Sequence, residues 1–166
     1  RYEEVRYEGY GPSGVAVIID VLTDNVNRTA PEMRKLFEKG NGNLSKPGAV
    51  AFGFTSKGVV LIESEKATEE QLMDVALDAG ADDIEQTDGG WELTCEPTQF
   101  LSLRQALETA EIETISAEIT MVPSTTVACD VALGGKILRL IDSFEEHDDV
   151  QNVYTNADIP DEAMEE

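Results

Sequence analysis

The sequence predicts an α+β fold of two domains, in which a ferredoxin-like domain is inserted into a discontinuous α+β domain. Residues 58–124 have the element order βαββαβ, which is the split βαβ pattern of ferredoxin-like folds. Residues 1–57 have the order ββαβ, which lacks a helix and a strand needed to complete a domain. Residues 125–166 supply one amphipathic helix and one strand that need a surface to pack on. The predicted domains are therefore residues 1–57 with 125–166, and residues 58–124.

The first domain begins with a predicted β-hairpin. Residues 2–8 alternate in polarity, and the run VAVIIDVL at residues 15–22 is rich in β-branched residues, which is typical of a buried strand. A helix is predicted over about residues 30–39, because Thr29 begins a capping-box pattern and a proline follows in the first turn. The run AVAFGF at residues 49–54 predicts the next strand.

The inserted domain contains five predicted elements after its first strand, GVVLIES at residues 58–64. Thr68 begins a capping-box pattern and therefore a helix. The run DDIEQTDGGWELTC predicts a hairpin that turns at Asp88-Gly89-Gly90, and Pro97 begins a second helix. Residues 115–121 alternate strictly, which predicts a strand with one buried face. The residues predicted to face inward in this strand are Ile115, Ala117, Ile119 and Met121.

The C-terminal part predicts a helix around residues 133–146 and a strand at residues 150–155. Apolar residues recur at helical spacing from Leu133 to Phe144, although Gly134-Gly135 weakens the first turn by about 1 kcal/mol per glycine. We expect this helix to pack beside the helix at 30–39 on one sheet. The acidic tail that follows is predicted to be disordered.

The stretch GYGPSG at residues 9–14 has the spacing of a dinucleotide-binding turn. That turn requires a helix directly after it, whereas the following residues are typical of a strand, and Pro12 removes a backbone N–H donor. We therefore interpret the stretch as a hairpin loop and expect no nucleotide cofactor. Three glycines and a proline around Tyr10 still suggest the close approach of a partner, with Gly11 and Pro12 beside it.

No arrangement of catalytic residues is visible. His147, the only histidine, lies in EEHDD, and we interpret that run as a solvated helix end rather than a metal site. Cys95 and Cys129 lie among apolar residues without an activating partner, so we expect buried, reduced thiols. No apolar run is long enough to span a bilayer. The sequence therefore predicts no enzyme activity, no cofactor, no metal and no membrane partner.

The charge is distributed unevenly along the chain. The net charge is −22, yet residues 1–57 carry eight Lys/Arg against seven Asp/Glu, so the remainder carries the whole negative excess. We therefore expect contacts with a polyanion to use the first third. Arg28, Lys35 and Lys39 are spaced seven and four residues apart and could form a stripe of about three phosphate contacts.

The loop from Asp24 to Arg28 joins a strand to a helix and is polar apart from Val26. We expect it to lie with the glycine loop at one exposed edge, although a straight intervening strand would separate the two loops into two sites. The residues predicted to contact nucleic acid or another partner are Arg6, Tyr10, Gly11, Pro12, Asn25, Asn27, Arg28, Lys35 and Lys39.

Several of these stretches resemble the YebC/PmpR family of bacterial proteins, whose mitochondrial relative is a translational activator of cytochrome oxidase. The matching motifs are Y-E-x-x-R-Y-E-G-Y-G-P-x-G from Tyr2 to Gly14 and L-T-D-N-x-N-R-T from Leu22 to Thr29. Gly42 to Leu44, AFGFTSKGVV and LIDSFEEHDDVQNVYTN are also similar, so the likeness covers essentially the whole chain. The departures are Ser13, where the family usually has glycine, and the Gly134-Gly135 pair.

The resemblance implies a three-domain fold whose third, ferredoxin-like domain is inserted into the second. It also implies that a basic N-terminal helical domain is absent from this chain. By resemblance, the protein is a cytoplasmic, non-enzymatic regulator of gene expression that binds DNA or ribosomal RNA mainly through that domain. Transcriptional regulation at promoters and ribosome-associated help at polyproline stretches both remain open. A third hypothesis is an adaptor whose acidic domain binds a protein.

Overall fold

The computed structural model describes residues 1–164. They form two compact units, Ser56–Val122 and a unit that joins Arg1–Thr55 to the described residues from Pro123 onward. In chain order, the strands are β1 (Glu3–Tyr10), β2 (Ala16–Thr23), β3 (Asn43–Ser45), β4 (Phe54–Glu63), β5 (Ala81–Thr87), β6 (Gly90–Cys95), β7 (Ser116–Pro123), β8 (Val127–Ala128), β9 (Val150–Thr155) and β10 (Ala157–Asp158). The helices are α1 (Val26–Lys39), α2 (Glu69–Ala76), α3 (Phe100–Thr109), α4 (Val131–Glu145) and α5 (Asp161–Met164).

The first unit is built on a four-stranded antiparallel sheet in the order β3-β1-β2-β9. Helices α1 and α4 pack together on one face, where their side chains and those of β2 form a single core. The rings of Phe37 on α1 and Phe144 on α4 meet edge to face, with centroids 4.8 Å apart. The expectation that the C-terminal helix packs beside the first helix is confirmed.

On the opposite face of this sheet, a buried carboxylate binds the segment that precedes β4. Tyr7 packs against the helix-side core, so its neighbour Glu8 points to the other face. Glu8 is 5% exposed and accepts hydrogen bonds from the backbone N–H groups of Gly48 (2.7 Å), Val50 (3.0 Å) and Ala51 (2.7 Å). Burial opposes ionisation of Glu8, but these donors and nearby Arg6 outweigh it and lower the pKa of its carboxyl.

Helix α1 begins four residues earlier than the sequence predicts. Asn25 is its N-cap and accepts a hydrogen bond from the backbone N–H of Arg28. Thr29 lies inside the helix, is fully buried, and has its Oγ1 2.8 Å from Oγ1 of Thr23. The capping box predicted at Thr29 is therefore wrong. Asn25 caps the helix, and Thr29 forms a buried hydrogen bond with Thr23 of β2.

The strand predicted at residues 49–54 is also wrong. The backbone N–H groups of Val50 and Ala51 bond to Glu8 instead of to a strand, and a 3₁₀ turn occupies Ala51–Gly53. Strand β4 begins only at Phe54. The Glu8 side chain from β1 therefore holds the first part of the run AVAFGF out of a strand, and only Phe54 belongs to β4.

The acidic tail is ordered as far as Met164, which contradicts the predicted disorder. Strand β10 pairs in parallel with β8, and α5 packs on the first turns of α4. Ala163 is 4% exposed, and a Cβ placed on Gly134 would lie 3.1 Å from the Ala163 Cβ. Gly134 therefore allows the tail to approach α4 closely. Glu165 and Glu166 lie outside the described residues.

The second unit has a four-stranded sheet in the order β5-β6-β4-β7, with α2 and α3 contributing to one core. This is the order of a ferredoxin-like βαββαβ arrangement. The capping box at Thr68 is confirmed, with the backbone N–H of Gln71 donating to Thr68 Oγ1. Trp91 is buried on the helix-facing side and donates its indole N–H to the carbonyl of Ala67. The chain is thus α+β in both units.

The alternation predicted for β7 holds only in part. Ala117 packs against the core of the second unit, whereas Ile115 and Ile119 are 59% and 47% exposed. Strand β7 lies at the edge of its sheet, and the core of α2 and α3 does not extend over those two side chains. The predicted strand is present, but its burial does not alternate strictly, because alternation in the sequence does not show how far the helical layer extends.

Replacing Glu8 by glutamine should destabilise the chain by about 1–3 kcal/mol at pH 7, because the amide leaves buried N–H donors poorly paired. The lowered pKa of Glu8 means that its contribution is present above the unfolded value of about 4.3 and is lost as pH falls through the folded value. The stability gap between wild type and Glu8→Gln should therefore narrow below about pH 4. Urea titrations over a pH series measure this gap, with exposed Glu3→Gln as the matched control. A gap that does not change with pH would contradict the prediction.

The two adjacent glycines of α4 should respond differently to alanine. Gly135→Ala should stabilise by up to about 1 kcal/mol, because the nearest atom, Nη1 of Arg139, lies 3.6 Å from the new Cβ. Gly134→Ala should gain less or lose stability, since Ala163 and Ile159 both lie 3.1 Å from its Cβ. Thermal unfolding of both variants provides the comparison. Equal gains would show that the tail does not pack on α4.

Candidate nucleic-acid interface

The glycine loop is a tight turn packed against the chain's own helices. A 3₁₀ turn occupies Pro12–Gly14, and β2, rather than a helix, follows it. A Cβ on Gly11 would lie 3.0 Å from Leu140 Cδ2 in α4, and Gly14 has φ 77°. Gly11 is buried and therefore offers no contact surface, so its prediction as a contact residue is wrong. Tyr10 is half-buried. The element that closely approaches this loop is α4 of the same chain, where the sequence suggested a separate partner.

The register of the hairpin separates the two predicted loops. Tyr10 pairs with Ala16 at one end of β2, whereas Glu3 pairs with Thr23 at the other end, two residues before Asn25. The intervening seven residue steps span about 23 Å. The single-site arrangement is therefore wrong, and the predicted contact residues form two groups. Between them, Arg6 is paired with Asp20, with Nε and Oδ1 2.7 Å apart.

Arg28 is held in a network at the junction of α1 with the end of α4. Its guanidinium donates to the carboxylate of Asp149 and lies within 4 Å of the carboxylates of Asp24 and Glu32. His147 Nε2 is 2.8 Å from Glu32 Oε1, and its Nδ1 accepts the backbone N–H of Asp149. In the run EEHDD, Glu145, Glu146 and Asp148 are exposed, as expected of a solvated helix end, whereas the His147 side chain is only 17% exposed and departs from that interpretation. Arg28 thus has a structural role here, with its charge largely neutralised. Asn27 is exposed beside it.

A groove of about 340 Å³ lies between the end of α1 and the middle of α4. Leu36 and Leu140 form its apolar floor, and the charged side chains that line it are Lys39, Lys136 and Arg139. All three cations are exposed, and none forms an ion pair with any residue in 1–164. We call this feature, defined by Lys39, Lys136 and Arg139, the cationic groove.

Acids outnumber bases in this chain by 34 to 12, yet none of the acids within residues 1–164 pairs with a groove cation. Among the residues in 1–164, no Asp or Glu lines the groove. Lys35 is exposed one turn before Lys39 on α1 and extends the positive surface along that helix. Three cations on two rigid helices can bind successive phosphate groups without first breaking ion pairs of their own.

Sequence reasoning found Lys35 and Lys39 but missed Lys136 and Arg139. The pair lies three residues apart on the polar side of α4, which is a weak signal on its own. Their significance depends on α4 packing beside α1, which joins them to Lys39 across about 100 residues of sequence.

Chemistry other than binding has little support in the described residues. Burial raises the pKa of both cysteine thiols, with Asp82 adding to the effect at Cys95 and Asp158 at Cys129, so both remain protonated at neutral pH. Cys95 is buried as predicted, whereas Cys129 is only half-buried. Within residues 1–164, no three His, Cys, Asp or Glu side chains are grouped closely enough to hold a metal ion. Across the same residues, every helix is too short or too polar to cross a membrane.

The sequence profile of the TACO1/YebC second and third domain matches residues 2–157. The chain belongs to the TACO1/YebC family. A protein of Rubrobacter xylanophilus, called "Probable transcriptional regulatory protein", is 49% identical over 165 residues, covering 99% of this chain and 66% of its own length. A Treponema denticola protein with the same name is 49% identical over 159 residues, covering 96% of this chain and 64% of its own. This chain therefore spans less than two thirds of the length of such relatives.

The fold is shared with a crystal structure of a conserved hypothetical protein from Aquifex aeolicus. The TM-score is 0.81 at 37% sequence identity, and the match covers 96% of this chain and 66% of the other. The YebC/PmpR resemblance found in the motifs is thus confirmed over nearly the whole chain, and so is the α+β class.

Replacing Arg28 by alanine should lower the stability by about 1 kcal/mol, since the carboxylate of Asp149 loses its charged donor. The loss should shrink in 1 M salt, because screening weakens the attraction between the Arg28 guanidinium and its carboxylates in the folded state. Lys35→Ala, on the same helix and without an ion pair among the described residues, should change stability by less than about 0.5 kcal/mol. Chemical denaturation at two salt concentrations distinguishes the two variants. Equal effects would show that the Arg28 network does not contribute.

Proposed function

We propose that this chain is part of a non-enzymatic, DNA-binding transcriptional regulator and that its cationic groove contacts the phosphate backbone. The observation that carries the proposal is one groove in which two packed helices bring together Lys39, Lys136 and Arg139, three cations with no ion-pair partner among residues 1–164. The names of the relatives support a role in transcription.

The charge of the whole chain limits how strongly the groove can bind. A body with net charge −22 repels a polyanion, and only cations within about one Debye length, roughly 8 Å at physiological salt, oppose that repulsion locally. Three phosphate contacts orient a nucleic acid but hold it weakly. We infer that this chain contributes placement, and that most of the affinity of a complete protein comes from outside these residues.

We propose that residues 58–124 form an inserted domain that faces protein or solvent rather than nucleic acid. They carry two Lys/Arg against sixteen Asp/Glu, and both cations, Lys66 and Arg104, have contacts of their own with Glu113 and the Phe100 ring. A surface of this charge excludes phosphate and favours basic partners.

Neutralising the groove should weaken binding while leaving the fold intact. The variant Lys39→Gln/Lys136→Gln/Arg139→Gln should bind duplex DNA about ten-fold more weakly at low salt. The slope of log K against log salt should become shallower by about 0.9 for each contact removed. Fluorescence anisotropy with a labelled duplex over a salt series measures both quantities.

The matched control is Lys57→Gln/Lys66→Gln, which removes two cations that are paired with acids in the second unit. This control should bind like the wild type. If the groove variant and the control behave alike, the groove is not the binding surface.

The groove recognises phosphate and cannot by itself distinguish DNA from ribosomal RNA, so the role needs a separate test. Promoter footprinting that depends on the three groove residues supports transcriptional regulation. Groove-dependent co-sedimentation with ribosomes, without a footprint, would replace that role by ribosome association.

A further inference from the structure

We propose that Phe52 is a stacking platform for an unpaired base of a single-stranded nucleic acid. The proposal rests on the proposed function, since it names the form of nucleic acid that the first unit takes in addition to a phosphate backbone.

Phe52 is 85% exposed, more than any other large apolar side chain within residues 1–164. Its neighbours in the 3₁₀ turn are Ala51 and Gly53, and a Cβ on Gly53 would meet no atom within 4 Å. The Phe52 ring also makes no aromatic or cation–π contact with the described residues. The ring is therefore accessible to a planar group.

The exposed ring sits on a rigid backbone. Ala51, directly before it, donates its N–H to the buried Glu8 carboxylate at 2.7 Å. Gly53, directly after it, donates to the carbonyl of Val50 at 3.0 Å and accepts the N–H of Ser124 at 2.8 Å. The same turn buries Val50, which is 4% exposed, and presents the larger aromatic to solvent. A backbone fixed in this way loses little conformational freedom when a ligand stacks on the ring.

The charge around this turn favours a nucleic acid over an apolar pocket of a protein. Lys46 is the only charged residue in the segment 46–53, is exposed, and has no ion pair within residues 1–164. Lys46 and Arg34 line a groove along β1 whose other charged residues are Arg6 and the buried Glu8, and Arg34 has no ion pair within residues 1–164. Aromatic anchors of protein interfaces are surrounded by contacts that exclude water, whereas the exposed neighbours here are Lys46, Pro47 and Gly48. A segment that exposes an aromatic ring and carries a cation as its only charged residue instead combines the two features, stacking and phosphate attraction, that bind single strands.

The test compares Phe52→Ala and Phe52→Trp in the whole chain, using a fluorescein-labelled oligothymidine of about 12 nucleotides and its duplex with oligoadenine. Phe52→Ala should bind the single strand about ten-fold more weakly and the duplex almost unchanged. Phe52→Trp should keep the single-strand affinity, and its additional tryptophan emission should be quenched when the strand binds. Leu101→Ala, which truncates a 64% exposed side chain on α3, is the matched control and should behave like the wild type.

Three results would overturn the proposal. The proposal fails if Phe52→Ala leaves the affinity for the single strand unchanged. It also fails if the variant loses the same affinity for the single strand and for the duplex. In the free Phe52→Trp chain, shielding of the introduced indole from acrylamide would show that the ring is covered by the protein itself. The groove variant on duplex DNA tests the proposed function separately, so groove-dependent duplex binding with Phe52-independent single-strand binding defeats only this inference.

Discussion

The first unit depends on a single buried carboxylate, Glu8. Its register partner on β2, Ile18, has no exposed surface although it lies on the face away from α1 and α4. Three N–H groups from the segment 48–51 converge on the Glu8 carboxylate and hold that segment against this face. The same interaction takes the place of strand hydrogen bonds just before β4, which begins only at Phe54. A neutral side chain of the same shape could not satisfy three donors, which is why a charged group is stable in this position.

The few cations of the chain are used in two different ways. Arg6 and Arg28 neutralise acids within the first unit, Asp20 and Asp149 respectively, and so stabilise the sheet and the junction of the two helices. The cationic groove, by contrast, keeps its three positive charges free of partners among the described residues. An acidic background makes such a groove more selective, since phosphate can approach the surface only where the local field is positive.

Local signals were reliable where neighbouring residues alone decide the structure. The capping box at Thr68 has both of its partners within one turn, and it forms as predicted. The pattern at Thr29 is equally good as local sequence, yet Asn25 caps the helix and Thr29 bonds to Thr23 on β2. The difference is that Thr29 lies between a helix and a sheet, so a distant contact competes with the cap. The exposed position of Ile119 has the same origin, because sequence alternation does not show that β7 is an edge strand.

The sequence alone determined the fold class, most of the elements, the family and the uneven charge, because these follow from periodicity, composition and motifs that are contiguous in the chain. Only the tertiary structure decided what the special residues do. Gly11 and Gly134 serve close packing against α4 and α5, and two predicted loops lie at opposite ends of one hairpin. The groove cations from α1 and α4 become a site only when the two helices pack together. Distances between residues about 100 positions apart depend on how those surfaces fit, and no local pattern in the sequence encodes that fit.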